Sequence, residues 1–159
     1  MAKVIMLCGR LCSGKTTYAA RLSSELGAVI LSVDELMIAL LGRETGSMHD
    51  EYVRRAKGYL HAKAADIARA GTDVVLDEGF WRRSERGEAR AYFAAKGVDC
   101  ELRYLRISEE EWARRIDRRN AEVAAGCSDA YLVDDGLREK FASLFEEPAA
   151  DEADAVIEV

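Results

Sequence analysis

The residues best suited to chemistry lie near the amino terminus, where a lysine framed by glycines follows a short apolar run. Residues 9–17 read Gly-Arg-Leu-Cys-Ser-Gly-Lys-Thr-Thr, which matches the phosphate-binding loop pattern of glycine, four residues, glycine, lysine and serine or threonine. Glycines here let backbone N–H groups wrap around phosphate oxygens, and a following helix N-terminus favours the same anion. The predicted nucleotide-binding residues of this loop are Gly9, Cys12, Ser13, Gly14, Lys15, Thr16 and Thr17.

Two residues of this loop have distinct expected roles. Lys15 is expected to bridge the outer phosphates and so to act in catalysis, and the Thr16 hydroxyl can bind Mg²⁺. The chain contains no Asn-Lys-x-Asp segment, which guanine-reading switches use, so the predicted cofactors are ATP and Mg²⁺. A redox role for the Cys12 thiol is an alternative to nucleotide contact.

Carboxylates follow two of the predicted strands. Asp34 comes directly after the second strand, and Asp77-Glu78 ends the third; ligands of an open parallel sheet lie at these carboxyl ends. Phosphoryl transfer to a hydroxyl needs one carboxylate for hydrated Mg²⁺ and another to accept the hydroxyl proton. We assign Asp77 to the metal and Asp34 to the base. Glu78 competes with Asp77, and Asp34 could instead cap a helix, although Ser32 is also available for capping.

A cluster of four arginines falls within six residues of the chain. At helical spacing Arg115 and Arg119 share one face, and Arg114 and Arg118 share another. Guanidinium groups closing over a transferring phosphoryl group neutralise the charge on its oxygens. We therefore predict that Arg115 and Arg119 bind the nucleotide and act in catalysis. The alternative is a solvated basic helix face balanced by Glu109–Glu111.

Weaker candidates lie around the third strand and the expected acceptor side. Three arginines just beyond that strand could contact the acceptor or product phosphate: Arg82, Arg83 and Arg86. Four further side chains could line an acceptor pocket or belong to the core: Met48, Tyr52, Tyr59 and Trp81. Two histidines have no partner pattern, so surface or core positions are expected for His49 and His61.

The elements that must position these residues alternate along the chain. Short apolar runs predict buried strands over Lys3–Cys8, Ala28–Val33, Asp73–Leu76, Cys100–Ile107 and Ala155–Val159. Helical spacing is found over Lys15–Leu26, Asp34–Leu41, about Asp50–Ala70, Ser84–Lys96, from the capping box at Ser108–Glu111 onwards, and over Asp134–Leu144. Loops are predicted at residues 42–48 and 121–131. Alternating strands and helices predict one α/β domain over residues 1–159 with a largely parallel sheet.

Composition and charge exclude several function classes. The chain has 159 residues and a formal charge of −6, and an acidic protein attracts neither nucleic-acid backbones nor anionic lipids without specific sites. The first apolar run is too short for a signal-peptide core, and no stretch is long enough for a membrane span. The four cysteines lack metal-site spacing, so reduced thiols in a cytoplasmic protein are expected, with Cys8 and Cys100 in the core.

Taken together, the motifs resemble those of the small P-loop kinases grouped with polynucleotide kinases, zeta toxins and chloramphenicol phosphotransferases, which are often described as AAA-type ATP-binding proteins. The resemblance covers nearly the whole chain. It rests on Gly9–Thr17, Ser32–Asp34, Val74–Phe80, Arg115-x-x-x-Arg119-Asn120, and Phe145–Pro148 with Glu152.

This resemblance implies a three-layer α/β/α fold whose five-stranded parallel sheet has the order 2-3-1-4-5. It also implies Asp34 as the base that activates the hydroxyl, a helical lid over about residues 114–131 that carries Arg115 and Arg119, and adenine near the C-terminal segment. The chain departs from polynucleotide kinases at Met37, where those enzymes carry an arginine that grips the substrate's phosphate. This departure argues against a nucleic-acid end as the substrate.

We therefore expect an ATP-dependent phosphotransferase that acts on a hydroxyl of a small molecule such as a sugar, nucleoside or antibiotic. A nucleic-acid 5′-hydroxyl kinase and an ATP-dependent switch without a small acceptor are the alternatives. A toxin-like kinase of a sugar nucleotide also fits, since its fold and residue roles would be the same. The residues indicate no particular protein partner.

Overall fold

The secondary structure alternates between strands and helices from end to end of the part of the chain that the computed structural model describes, residues 1–42, 45–128 and 132–159. The strands are β1 (Lys3–Cys8), β2 (Val29–Ser32), β3 (Val74–Gly79), β4 (Asp99–Arg106) and β5 (Ala155–Glu158). The helices are α1 (Lys15–Leu26), α2 (Val33–Leu41), α3 (His49–Arg69), α4 (Arg83–Ala95), α5 (Glu109–Ala124) and α6 (Asp135–Leu144), and a short 3₁₀ helix spans Gly46–Met48.

The strands form one parallel sheet with β1 at its centre. Its order is β2-β3-β1-β4-β5, and every neighbouring pair is parallel. This confirms the expected order 2-3-1-4-5 and the α/β fold. The apolar run Val4–Cys8 is fully buried, as a strand covered by helices on both faces requires.

Side-chain alternation along the strands divides the core between the two faces of the sheet. On one face, Met6 and Leu76 pack with α3 and α4 residues such as Ala64 and Phe93. On the other face the core consists of Ile5, Leu7, Val75 and residues of α1, including Ala19 and Leu22. Because successive residues of a strand point to opposite faces, Asp77 shares the α1 side with Val75, whereas Glu78 shares the α3–α4 side with Leu76.

Some element boundaries differ from those expected. Helix α2 begins one residue earlier than predicted, at Val33, and β3 runs on through Gly79. Helix α5 continues to Ala124, so residues 121–124 of the predicted loop 121–131 are helical. Nothing in the sequence interrupts the helix before Gly126, which has a φ of 72° that favours glycine. Residues 43–44 and 129–131 of the predicted loops lie outside the described part of the chain.

The cysteines are free thiols. Cys8 is buried in β1, and Cys100 is half-buried and packs against the same core face. Burial raises the pKa of each of these two thiols to about 12. Within the described residues, no helix combines the length and the apolar character needed to cross a bilayer.

Candidate active site

The glycine loop joins the buried end of β1 to the start of α1, and its backbone needs glycine at two positions. A Cβ at Gly9 would lie 2.5 Å from the Ser13 Oγ atom and 3.1 Å from the Leu105 carbonyl oxygen. Gly14 has a φ of 89°, a conformation that costs L side chains energy. The Gly9 N–H also donates to the Gly79 carbonyl oxygen at 3.3 Å, which ties the loop to the end of β3.

Helix α1 starts at the loop, and no side chain caps its N-terminus. Gly14 offers no capping side chain, and the first turn contains no acidic residue. The amino end of a helix carries orphan N–H groups and a partial positive charge. An anion is therefore the natural partner of this helix end.

Lys15 folds back over the loop. Its Nζ donates to the carbonyl oxygens of Gly9 at 2.9 Å and Arg10 at 2.8 Å. Burial lowers the pKa of Lys15, while the negative charges of Asp77 and Asp34 act in the opposite direction. The ammonium group is thus held inside the loop. A bound phosphate would replace its carbonyl partners, and the negatively charged phosphate oxygens would form stronger, charge-assisted hydrogen bonds with it.

Thr16 and Asp77 meet at the carboxyl edge of the sheet. The Thr16 Oγ1 hydroxyl donates to Asp77 Oδ2 at 2.9 Å, and Asp77 is only 8% exposed. Hydroxyl and carboxylate oxygens are the protein ligands that a hydrated Mg²⁺ ion prefers. The Thr16–Asp77 pair therefore fits this ion. Glu78 lies elsewhere: its carboxylate contacts His61 of α3 at 2.7 Å, on the other face of the sheet.

Asp34 lies in the first turn of α2 and is exposed to solvent. The cap of this helix is Ser32, whose Oγ accepts a hydrogen bond from the Glu35 N–H at 3.3 Å, so capping does not account for Asp34. Ser32 is also the neighbour of Asp77 in the β2–β3 register. Because β1 and β2 belong to one parallel sheet, Asp34 follows β2 at the same carboxyl edge at which the phosphate loop follows β1.

Helix α5 presents two of its arginines to the phosphate loop. Arg115 Nη1 donates to the Cys12 carbonyl oxygen at 3.4 Å, and its Nε donates to Glu111 at 2.7 Å. Arg119 Nη1 donates to the Cys12 Sγ atom at 3.7 Å. The structure therefore brings both predicted phosphate ligands against one residue of the loop.

The other two arginines of the cluster face solvent. The side chains of Arg114 and Arg118 are 77% and 74% exposed. Arg114 pairs with Glu111, and Arg118 approaches Glu122 at 3.9 Å. The alternative of a solvated basic face thus describes one side of α5 only.

Packing around the loop fixes the start of α5. Trp112 Nε1 donates to the Leu11 carbonyl oxygen at 2.8 Å, and Ile116 is fully buried. Further along, the Asn120 side chain donates to and accepts from the backbone of Val133, both at 2.8 Å. The helix is therefore anchored at its first turns, and its later part is tied to the chain that leads into α6.

Arg86 is not available for phosphate, and its prediction as an acceptor-side contact is wrong. The side chain is 2% exposed. Its guanidinium group donates to both carboxylate oxygens of Glu152 and to the carbonyl oxygens of Phe80, Trp81 and Glu146. All three guanidinium nitrogens are therefore engaged inside the protein. Arg82 and Arg83 lie exposed at the start of α4.

The aromatic candidates do not come together. Trp81 Nε1 donates to the Gly9 carbonyl oxygen at 3.0 Å, so this side chain supports the loop. Tyr59 and Met48 are exposed by 57% and 44%. Tyr52 packs on the apolar cluster of α2. His49 accepts or donates a hydrogen bond with Thr45 at 2.6 Å on the surface.

Arg10 carries no signal in the sequence, because the phosphate-loop pattern leaves its position variable. Its guanidinium carbon lies 4.8 Å from the centre of the Trp112 ring and 5.7 Å from that of Phe145, and its Nη1 is 2.5 Å from Glu109. Arg10 thus joins the loop, α5 and the C-terminal segment.

A wide concavity of about 710 Å³ lies at the opposite edge of the sheet, around Gly27, Gly71 and Gly97, remote from these residues.

Comparison with known proteins agrees with this fold. A family model described as "AAA domain" matches residues 4–148. A candidate kinase from Chloroflexus aurantiacus superposes with a TM-score of 0.74 at 19% identity, over 99% of this chain and 84% of that one. The APS kinase of Mycobacterium tuberculosis, solved with AMPPNP and APS, gives 0.70 at 22% identity, over 99% and 88%.

A gluconokinase from Sinorhizobium meliloti gives a TM-score of 0.59 at 16% identity, covering 99% of this chain and 81% of that chain. At these identities the likeness establishes the fold. None of the curated protein sequences compared with the chain is a significant match.

Proposed function

Because this chain belongs to the AAA domain family, we propose that it is an ATP-dependent phosphotransferase acting on a hydroxyl group of a small molecule. The observation that carries the proposal is the meeting, at one edge of the sheet, of a complete phosphate loop, the Thr16–Asp77 pair and Arg115 and Arg119 of α5. Kinases among the structural neighbours share the fold and support the same reading.

The nucleotide side of the site is built from the loop. The N–H groups at the start of α1 and the Lys15 ammonium group would bind the β- and γ-phosphates. Arg115 and Arg119 would add positive charge beside Cys12, where phosphoryl oxygens gain charge during transfer. Thr16 and Asp77 would hold Mg²⁺, which neutralises phosphate charge when bound.

Asp34 is proposed as the base. Its exposed carboxylate, on the first turn of α2, would accept the proton of the attacking hydroxyl as the hydroxyl oxygen bonds to the γ-phosphorus. The bond from this phosphorus to the bridging oxygen then breaks, and ADP leaves. Lys15 and the two α5 arginines stabilise the charge that develops on the transferred group.

A lid over about residues 114–131 is part of the proposal. Since Trp112 and Ile116 anchor the first turns of α5, any closing movement would involve the later turns, which carry Arg119. Adenine would lie toward the C-terminal segment, beyond Arg10 and Phe145.

The acceptor is proposed to be a small molecule rather than a nucleic-acid end. Met37 is 7% exposed and packs in the apolar cluster between α2 and α3, so this position offers no cation for an acceptor phosphate. The formal charge of −6 also disfavours nucleic acid. The free thiols fit a protein of the reducing cytoplasm.

The test is a panel of sugars, nucleosides, antibiotics and 5′-hydroxyl oligonucleotides incubated with γ-labelled ATP and Mg²⁺. The proposal expects label in a small-molecule product, lost in Lys15→Ala and kept in Lys63→Ala, a change at an exposed lysine of α3. Label found only in oligonucleotides would overturn the choice of acceptor. Lys15→Ala with unchanged ATP affinity and turnover would overturn the nucleotide site.

A further inference from the structure

The chain contains two tryptophans, and both donate their indole N–H groups to backbone carbonyl oxygens of the phosphate loop. Trp81, which follows β3, donates to the Gly9 carbonyl oxygen at 3.0 Å. Trp112, in the first turn of α5, donates to the Leu11 carbonyl oxygen at 2.8 Å. The two indoles thus hold the loop from two different elements of the fold.

Trp112 contributes a hydrogen-bond donor to a region that is otherwise apolar. The residue is buried in a cluster with Ile107, Ile116 and Val133. The indole N–H is the only polar group of its side chain, and its acceptor is the Leu11 carbonyl oxygen. Phenylalanine would supply an aromatic ring to the same cluster without a donor. The hydrogen bond to the loop is therefore what a tryptophan adds at this position.

This hydrogen bond lies beside a strained residue of the loop. Cys12 has a φ of 61°, which costs free energy for a residue that carries a side chain. The peptide group before Cys12 is held by Trp112. The peptide group after it is held by Arg115, whose Nη1 donates to the Cys12 carbonyl oxygen at 3.4 Å. Helix α5 therefore holds both peptide groups that flank the strained residue.

Fixing the Leu11 carbonyl group also sets the direction of the next N–H group. In a planar trans peptide, the C=O bond of one residue and the N–H bond of the next point in opposite directions. Because the Leu11 carbonyl points toward Trp112, the Cys12 N–H points to the opposite side. In the part of the chain that the structure describes, no acceptor is found for this N–H. It is therefore available to an anion in the loop.

We infer that Trp112 is a positioning residue of the nucleotide site: its indole N–H fixes the Leu11–Cys12 peptide so that the Cys12 N–H donates to a phosphate oxygen. Trp112 does not touch the substrate and acts through the loop. The inference rests on the proposed nucleotide site, and it gives α5 a second role besides the charge of Arg115 and Arg119. The two hydrogen bonds of this peptide should strengthen each other, because each polarises the peptide group between them.

The first test measures this coupling in the parent chain, so it does not require a variant that folds. The ¹⁵N-labelled full chain is titrated with Mg²⁺–tripolyphosphate, which has no adenine. The Cys12 amide and the Trp112 indole are followed, and each indole signal is assigned by correlation with its own backbone amide. We expect both proton signals to move downfield at saturation, because a charged acceptor shortens the Cys12 hydrogen bond and polarises the peptide.

The outcomes of this titration separate the inference from the nucleotide site on which it rests. Saturation that leaves either the Cys12 amide or the Trp112 indole in place would overturn the inference and keep the nucleotide site. A parent chain that binds neither Mg²⁺–tripolyphosphate nor Mg²⁺–AMPPNP would overturn the proposed nucleotide site, and the inference with it.

The second test removes the donor. Trp112→Phe keeps an aromatic ring in the cluster and should weaken Mg²⁺–tripolyphosphate and Mg²⁺–AMPPNP by the same factor of about ten, as the loss of one hydrogen bond to a charged group implies. Ile116→Val removes volume from the same cluster without removing a hydrogen bond to the loop. This control should lower stability and leave both affinities unaltered, as measured by titration calorimetry.

Three results of the second test would each overturn the inference. Parent affinities in Trp112→Phe would mean that the indole contact does not position the loop. Weaker binding of Mg²⁺–AMPPNP alone would place the effect of Trp112 at the adenine. Equal losses of affinity in Trp112→Phe and Ile116→Val would reduce the role of Trp112 to packing.

Discussion

The Thr16 hydroxyl donates a 2.9 Å hydrogen bond to the Asp77 carboxylate across 61 residues of sequence. This contact links the start of α1 with the end of β3 and leaves Glu78 on the other face of the sheet. Neutralising Asp77 should therefore weaken the metal site. Asp77→Asn should raise by about tenfold or more the Mg²⁺ concentration that half-saturates AMPPNP binding, measured by titration calorimetry.

A same-chemistry change at the far edge of the sheet provides the control for Asp77. Asp99 is exposed at the start of β4, and Asp99→Asn should leave the Mg²⁺ requirement unaltered. If Asp77→Asn also keeps the parent's Mg²⁺ requirement, the pair with Thr16 is structural only.

Substitutions of the arginines on the two faces of α5 should differ in their effect on turnover. Arg119→Ala removes a guanidinium group that lies against Cys12 and should lower turnover by about a hundredfold, because charge on the transferred phosphoryl group loses a partner. Arg118→Ala, on the exposed face of the same helix, should cost less than about twofold. Steady-state ATP turnover measures both, and similar losses in the two variants would contradict the proposed role of Arg119.

The Arg86–Glu152 pair should matter for stability. Glu152→Gln leaves a buried guanidinium group with incomplete compensation, which should lower the free energy of unfolding by about 3 kcal/mol. Urea denaturation followed by circular dichroism measures this loss. Glu147→Gln, an exposed change in the same segment, is the control.

This effect should depend on pH in a defined direction. The hydrogen bond from Arg86 holds the pKa of Glu152 below its ordinary value of 4.5. The stabilisation is therefore complete above pH 4.5 and is lost as the pH falls through the lowered pKa. The stability difference between parent and Glu152→Gln should shrink in that range, and a constant difference would contradict the assignment.

Thiol reactivity should follow burial. At pH 8 Cys127, which is exposed, should react fastest with Ellman's reagent, and Cys127→Ser should remove the fast phase. Cys8 and Cys100, with pKa values raised to about 12, should react last, since only about one thiol in ten thousand is ionised at that pH. Labelling of native Cys8 at the rate of Cys127 would contradict the burial of β1.

The elements that could be predicted from the sequence are those that depend on a short local pattern. The apolar run of β1, the glycine spacing and the open start of α1 follow from short segments. The order of the sheet followed from the resemblance. The choice between Asp77 and Glu78 could not be made, because β3 is buried on both faces and its apolar residues do not reveal which side meets α1.

Long-range partners were the other difficulty. Arg86 looks like a surface arginine in its own segment, and only the distant Glu152 makes it a core residue. His61 likewise shows no partner until α3 packs over the end of β3 and brings it to Glu78. Helix α5 extends to Ala124, beyond the end that its sequence predicts, because the alanine-rich residues before Gly126 form helix readily.

The most direct test of the account is phosphoryl transfer by Asp34→Asn. With an acceptor found in the panel, this variant should bind Mg²⁺–AMPPNP as the parent does and transfer phosphate about a hundredfold or more slowly, because the hydroxyl has lost its base. Glu35→Gln, the adjacent carboxylate on the same exposed turn, should transfer at the parent rate. Transfer by Asp34→Asn at the parent rate would contradict the central claim.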